Sequence, residues 1–202
     1  MMFTTLSRVT SVLLTCTTPF ECVEPHLNDP ALIVLSGTQT ARDLIVDDLD
    51  IRTAHWPPNS IDGGVVHRGF ARRTRTLCDS MSSFLNKHES FVVAGHSLGG
   101  ACAVLMASLL AQREKDIQAV YTFGMPRLAS PKFREFYIEQ GLVEVSRHFA
   151  TPLDPVVHNI PYVYKAMGEY EVIPCDKKDS WDQHDMRAYY EYFQPASFEM
   201  PS

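Results

Sequence analysis

A chain of 202 residues with 45% apolar side chains can bury a sizeable core and is short enough to be read as one domain. Its 24 acidic and 18 basic residues leave a formal net charge of -6. The basic residues are scattered, which argues against a nucleic-acid surface and suits an uncharged acyl or lipid substrate better. Five cysteines, an odd number with no C-x-x-C pair, match neither a disulfide framework nor a zinc site, and no apolar run reaches the length of a membrane span.

In chain order, the stretch from Met1 to Cys16 has Arg8 as its one basic residue and an apolar run broken by Thr and Ser, a poor secretory signal. Val12, Leu13 and Leu14 before Cys16 give only a faint lipoprotein pattern, so a cytoplasmic location is the expectation. Leu6, Val9, Val12 and Leu13 recur at helical spacing and predict an amphipathic helix closing one edge of the domain, ended by Pro19. Phe20 to Val23 and Ala31 to Ser36 read as strands around the turn-rich Pro25 to Pro30. Gly37-Thr38 follows the second strand directly, and Thr40 suits the cap of a short helix over 41–49. From Asp50 to Val66, the Pro57-Pro58 and Asp62-Gly63-Gly64 steps predict an exposed, mobile loop. Phe70 to Leu85 reads as a helix whose solvated face carries Arg72, Arg73 and Arg75.

Phe91 to Ala94 is a short apolar run suited to a buried strand, and Leu98 onward suits a buried helix. Between them, Gly95-His96-Ser97-Leu98-Gly99 matches the G-x-S-x-G elbow, in which a serine sits on a sharp strand-to-helix turn. The flanking glycines are needed there because a Cβ would strike the neighbouring strand or helix. The bland alternative is a tight turn. Cys102, on the helix, reads as core packing.

Ile117 to Phe123 is strand-like and ends at Gly124 and Pro126. Ser130-Pro131 opens a helix running to Gly141, and Val143 to Phe149 is the next strand, with Asp154 in the loop beyond it. Tyr162 to Met167 and Glu169 to Ile173 predict a hairpin turning at Gly168. Ser180 with Gln183 resembles a capping box, with Asp182 as the alternative cap, for a last helix through Phe193 that holds His184 in its first turn. The alternation of strands and helices predicts an α/β sheet covered on both faces.

A serine hydroxyl needs a base to become nucleophilic, and the base needs a third group to hold its tautomer. The order Ser, Asp, His along the chain is that of α/β-hydrolases. Asp154 stands after a strand, where such folds present loops, although a carboxylate capping its own turn before Pro155 explains it too. Among the eight histidines, His96 is expected to point away from Ser97, His67 lies far upstream, and His158 is close to Asp154 in sequence. His148 precedes the acid, which leaves His184 as the base, against the bland reading of a surface histidine. For the oxyanion, the N–H of Leu98 and the N–H and hydroxyl of Thr38 are the candidate donors.

These residues resemble the class 3 lipase family, the fungal-lipase-like branch of the α/β-hydrolases. The resemblance rests on LSGT at Leu35 to Thr38 followed by RDLIVDDL, VHRGF at Val66 to Phe70, and GHSLGGA at Gly95 to Ala101. It continues through YTFGMPR at Tyr121 to Arg127, Asp154-Pro155-Val156, Gly168-Glu169 and His184. It implies a single α/β-hydrolase domain over 1–202, with a mostly parallel central sheet, helices on both faces and a reduced N-terminal region. It also implies a Ser97, Asp154, His184 triad, an oxyanion hole from Thr38 and Leu98, and hydrolysis of carboxylic esters, commonly of glycerolipids, with no metal or organic cofactor.

The family's lid would fall at 39–49, where Leu44, Ile45 and Leu49 could face lipid. The expected partner is a lipid or other acyl ester, with transient contact to a membrane or lipid-droplet surface and no nucleic acid. The chain departs from the family pattern, which usually has Arg where Ser36 stands, a proline near the position of Val157, and a longer region ahead of the first matched strand. Two alternatives stand beside hydrolysis: a catalytically silent pseudo-hydrolase that binds without turnover, and an acyltransferase using the same triad.

Overall fold

The computed structural model describes residues 2–15, 18–26, 29–37, 52–58, 63–158 and 164–194. Thr38, the cap at Thr40 and the lid at 39–49 lie outside the described residues.

Strands β1 (Phe20–Val23) and β2 (Ala31–Leu35) form where the apolar runs predict them. Next come β3 (Thr53–His55) and β4 (Val65–His67), which pair antiparallel as a separate ribbon. The remaining strands are β5 (Ser90–His96), β6 (Asp116–Phe123), β7 (Ser146–Ala150) and β8 (Tyr170–Val172). The main sheet runs β1-β2-β5-β6-β7-β8, parallel throughout except for β1.

Buried on both faces, β2 and the interior of β5 from Phe91 to Gly95 are free of polar side chains, as central parallel strands are. Alternate side chains feed two cores: Ile33, Leu35, Phe91 and Val93 on one side, Leu32, Val34, Val92 and Ala94 on the other. The first core is covered by α2 (Arg68–Ser80), α4 (Leu98–Gln112) and α5 (Pro131–Glu139). The second is covered by α1 (Met2–Thr15) and α8 (Met186–Phe193). Helix α4 lies beneath α2 and against the sheet, which is why it is apolar almost all round. No helix among the described residues is long and apolar enough to cross a membrane.

Several expectations are corrected. Helix α1 buries Leu6, Val9 and Leu13 against a face of the sheet and beside α8, not at an edge. The described part of 50–66 is anchored: Trp56 is fully buried and its Nε1 donates to Ser108 Oγ at 2.9 Å. The helix expected over 70–85 is interrupted at the buried Met81, and α3 (Ser82–Lys87) follows it. The hairpin at Gly168 is replaced by β8 joining β7 in parallel, while Lys165 bridges Ala129. Short helices α6 (Pro155–His158) and α7 (Ser180–His184) complete the described elements.

Candidate active site

Strand β5 ends at His96 and α4 begins at Leu98, so Ser97 alone makes the turn, at φ 55° and ψ -126°. A non-glycine residue in that region stores about 1–3 kcal/mol of strain, which the surrounding structure must over-determine. It does so through Ser97 N–H donating to Phe123 O and Gly100 N–H donating to Ser97 O, both at 2.9 Å. A Cβ on Gly95 would stand 2.1 Å from Gly99 O, and one on Gly99 would stand 2.1 Å from Leu35 O. Those contacts are why the sequence has glycine on both sides of the turn. As the first residue of α4, Leu98 has an N–H with no intrahelical acceptor.

Asp154 sits just beyond β7 and is fully buried. Its Oδ1 accepts from Val156 N–H at 2.8 Å and Val157 N–H at 3.4 Å, so it does cap its own turn. It also accepts His184 Nδ1–H at 2.8 Å on Oδ2 and 2.9 Å on Oδ1, and Tyr189 O–H at 2.8 Å on Oδ2. The turn-capping contacts and the His184 contact therefore coexist on this one carboxylate. Burial pushes the carboxyl upward, but the donors from His184, Tyr189 and Val156 outweigh it and leave Asp154 below the ordinary aspartate range. Burial and the neighbouring carboxylate drive Tyr189 well above its ordinary value, so it stays a donor.

His184 ends α7. A carboxylate only accepts, so the proton lies on Nδ1 and the lone pair on Nε2. That Nε2 is buried and has no hydrogen-bond partner among the described residues. The His184 ring lies 4.7 Å between centroids from that of His96, tilted by 33°, and His96 is the residue immediately before Ser97. The structure thus brings Asp154 and His184 into contact and sets the Ser97 turn beside them, with Leu98 next in the chain.

Four contributors escape the sequence reading. His96, of which the expectation said only that it points away from Ser97, faces His184. Tyr189 is the second side chain that donates to Asp154. Gln183 ties the helix of His184 to the loop of Asp154: its Oε1 accepts from Leu153 N–H at 2.9 Å, its Nε2 donates to Lys177 O at 2.6 Å, and its carbonyl accepts from Thr151 Oγ1 at 2.9 Å. Gly124, at φ 57°, leaves the space in which the triad candidates meet, since a Cβ there would lie 2.6 Å from Asp154 Oδ2 and 2.9 Å from His184 Nδ1. The other histidines serve elsewhere: His148 pairs with Thr122 Oγ1 at 2.8 Å, and His67 caps α2, accepting from Gly69 and Phe70 N–H.

The family pattern of lipase (class 3) matches residues 32–164, most of the sheet and the whole elbow. The chain belongs to the class 3 lipase family. Over 122 residues, 57% of the chain, it is 37% identical to the toxin TseL of Vibrio cholerae, and the match covers 18% of that protein. It is 33% identical to a lipase of Rhizomucor miehei over 120 residues, 54% of the chain and 32% of the relative. The chain thus spans only about a fifth to a third of these relatives. The LIP2 lipase of Yarrowia lipolytica superposes with a TM-score of 0.65 at 18% identity, covering 87% of this chain and 79% of that one. The shared architecture is the α/β-hydrolase fold.

Proposed function

We propose that this class 3 lipase is a serine-dependent carboxylic ester hydrolase acting on acylglycerols or related lipid esters. The observation that carries the reading is the buried Asp154–His184 pair, whose unpartnered Nε2 belongs to a ring 4.7 Å from that of His96, the residue just before the strained turn at Ser97. Ser97 Oγ attacks the acyl carbon as His184 Nε2 takes its proton. Asp154, held ionised, keeps the Nδ1 proton in place and stabilises the imidazolium.

Charge on the carbonyl oxygen is met by Leu98 N–H at the start of α4 and by Thr38. Collapse of the tetrahedral adduct breaks the ester C–O bond, and His184 returns the proton to the departing alcohol. Water then repeats the sequence on the acyl-enzyme, releasing the acid and restoring Ser97.

The test is hydrolysis of a p-nitrophenyl ester series, from acetyl to long-chain acyl, by the native chain and by Ser97→Ala. Turnover abolished by the substitution is expected, with an optimum at medium or long acyl chains. A folded native chain inert across the series and on emulsified acylglycerols would replace this reading with the silent pseudo-hydrolase.

A further inference from the structure

We propose that His96 is a positioning residue, whose Nε2–H holds the carbonyl of His184 and thereby fixes the base relative to Ser97; the proposal rests on the ester-hydrolase reading above. His96 Nε2 lies 2.7 Å from His184 O. A carbonyl oxygen only accepts, so the His96 proton is on Nε2.

The need for such a donor follows from the helix that carries the base. Helix α7 is only five residues long and stops at His184, because Asp185 takes φ -59° and ψ 136°. The last carbonyls of a helix have no following turn to bond to them. Side chains of two other elements meet them here: Thr151 Oγ1, in the acid loop, donates to Gln183 O, and His96, in the elbow, donates to His184 O. Together with the Asp154 contact at Nδ1, the base is mounted at three points, one on its ring and two on its backbone. Since His96 and Ser97 share a peptide unit, the His96 bond links the backbone of the base to that of the nucleophile.

The surroundings keep His96 in that form. Its ring lies against His184 at 4.7 Å and edge-on to Tyr189 at 6.0 Å. A Cβ on Gly37 would stand 3.5 Å from its Nδ1 and 3.0 Å from Ser97 Cβ, so little room is left on that side. Burial, then the neighbouring His184, pushes His96 down to about 4. It therefore remains a neutral donor while His184 gains its proton, whereas a cation at this distance would oppose the imidazolium.

Three variants of the full chain test this on p-nitrophenyl butyrate. Gln places an amide nitrogen near the Nε2 position, Asn places one near Nδ1, too short to reach His184 O, and Phe keeps a ring without a donor. His96→Gln is expected to keep kcat within about threefold, and His96→Phe and His96→Asn to lose about 10- to 100-fold in kcat with KM within twofold, the scale of a misplaced catalytic group. If the Phe variant does not fold, the Gln against Asn comparison decides. Equal kcat in Gln and Asn, or a Phe variant as active as the native chain, would overturn the positioning role while leaving the hydrolase reading intact. A native chain inert on every ester would overturn both.

Discussion

Asp154, the acid of the candidate triad, has two side-chain donors, and the one from Tyr189 can be removed without touching His184. Tyr189→Phe deletes the 2.8 Å bond to Asp154 Oδ2. At about 1.5–3 kcal/mol for a hydrogen bond to a charged group, kcat on a soluble ester should fall about 10- to 100-fold with KM little changed, as steady-state kinetics would read. Gly124→Ala should be more severe, because its Cβ would meet Asp154 Oδ2 at 2.6 Å on a backbone already at φ 57°. Loss of nearly all esterase activity is expected in a protein that still shows native circular dichroism.

At this scale the sequence was informative where chemistry is local. Gly95, Ser97 and Gly99 could be read because their constraint is the turn itself. His96 could not: it shares parity with Val92 and Ala94, which face the α1 and α8 side of the sheet. Which face receives the C-terminal helices is not encoded in β5.

Among the elements, the junction between α7 and α8 carries the most consequence. Asp179 caps α7 by accepting from Trp181 and Asp182 N–H, and Asp185 caps α8 by accepting from Arg187 N–H at 2.8 Å. The expected single helix capped by Ser180 or Asp182 is therefore two helices, and His184 ends the first instead of opening a longer one. Capping signals were legible, but neighbouring aspartates compete for the same role, and only packing decides between them. Asp185→Ala should cost about 1 kcal/mol in urea unfolding and loosen the chain immediately after the base. The parallel placement of β8 was hidden for a related reason: a three-residue strand shows no period, and its pairing with β7 is set by tertiary contact.

Across the whole molecule, the class of fold was legible because β2 and β5 are apolar on both faces and separated by helical runs, a pattern that requires two covering layers. The anchoring of Trp56 was not, since Pro57-Pro58 signals a loop and gives no account of what lies beneath it. Two histidines bear on acid stability, the buried His148 and the half-buried His96 at the end of β5. Burial pushes both His96 and His148 from 6.5 down to about 4.

Between those values the unfolded chain binds protons that the folded chain does not, so stability falls as pH drops from about 6.5 toward 4, by up to about 1.4 kcal/mol per pH unit for each histidine. The urea midpoint should therefore decline between pH 7 and 5, and His148→Gln should flatten that decline by about half. A midpoint unchanged over the range would contradict both rings being held neutral in the folded chain.

The central claim, that Ser97 is a nucleophile served by His184, is tested most directly by trapping with an alkyl p-nitrophenyl phosphonate followed by peptide mass mapping. The native chain should release one equivalent of p-nitrophenolate and carry the phosphonyl group on Ser97, and His184→Ala should react far more slowly. An adduct on another residue, or no adduct on a folded native chain, would contradict the account.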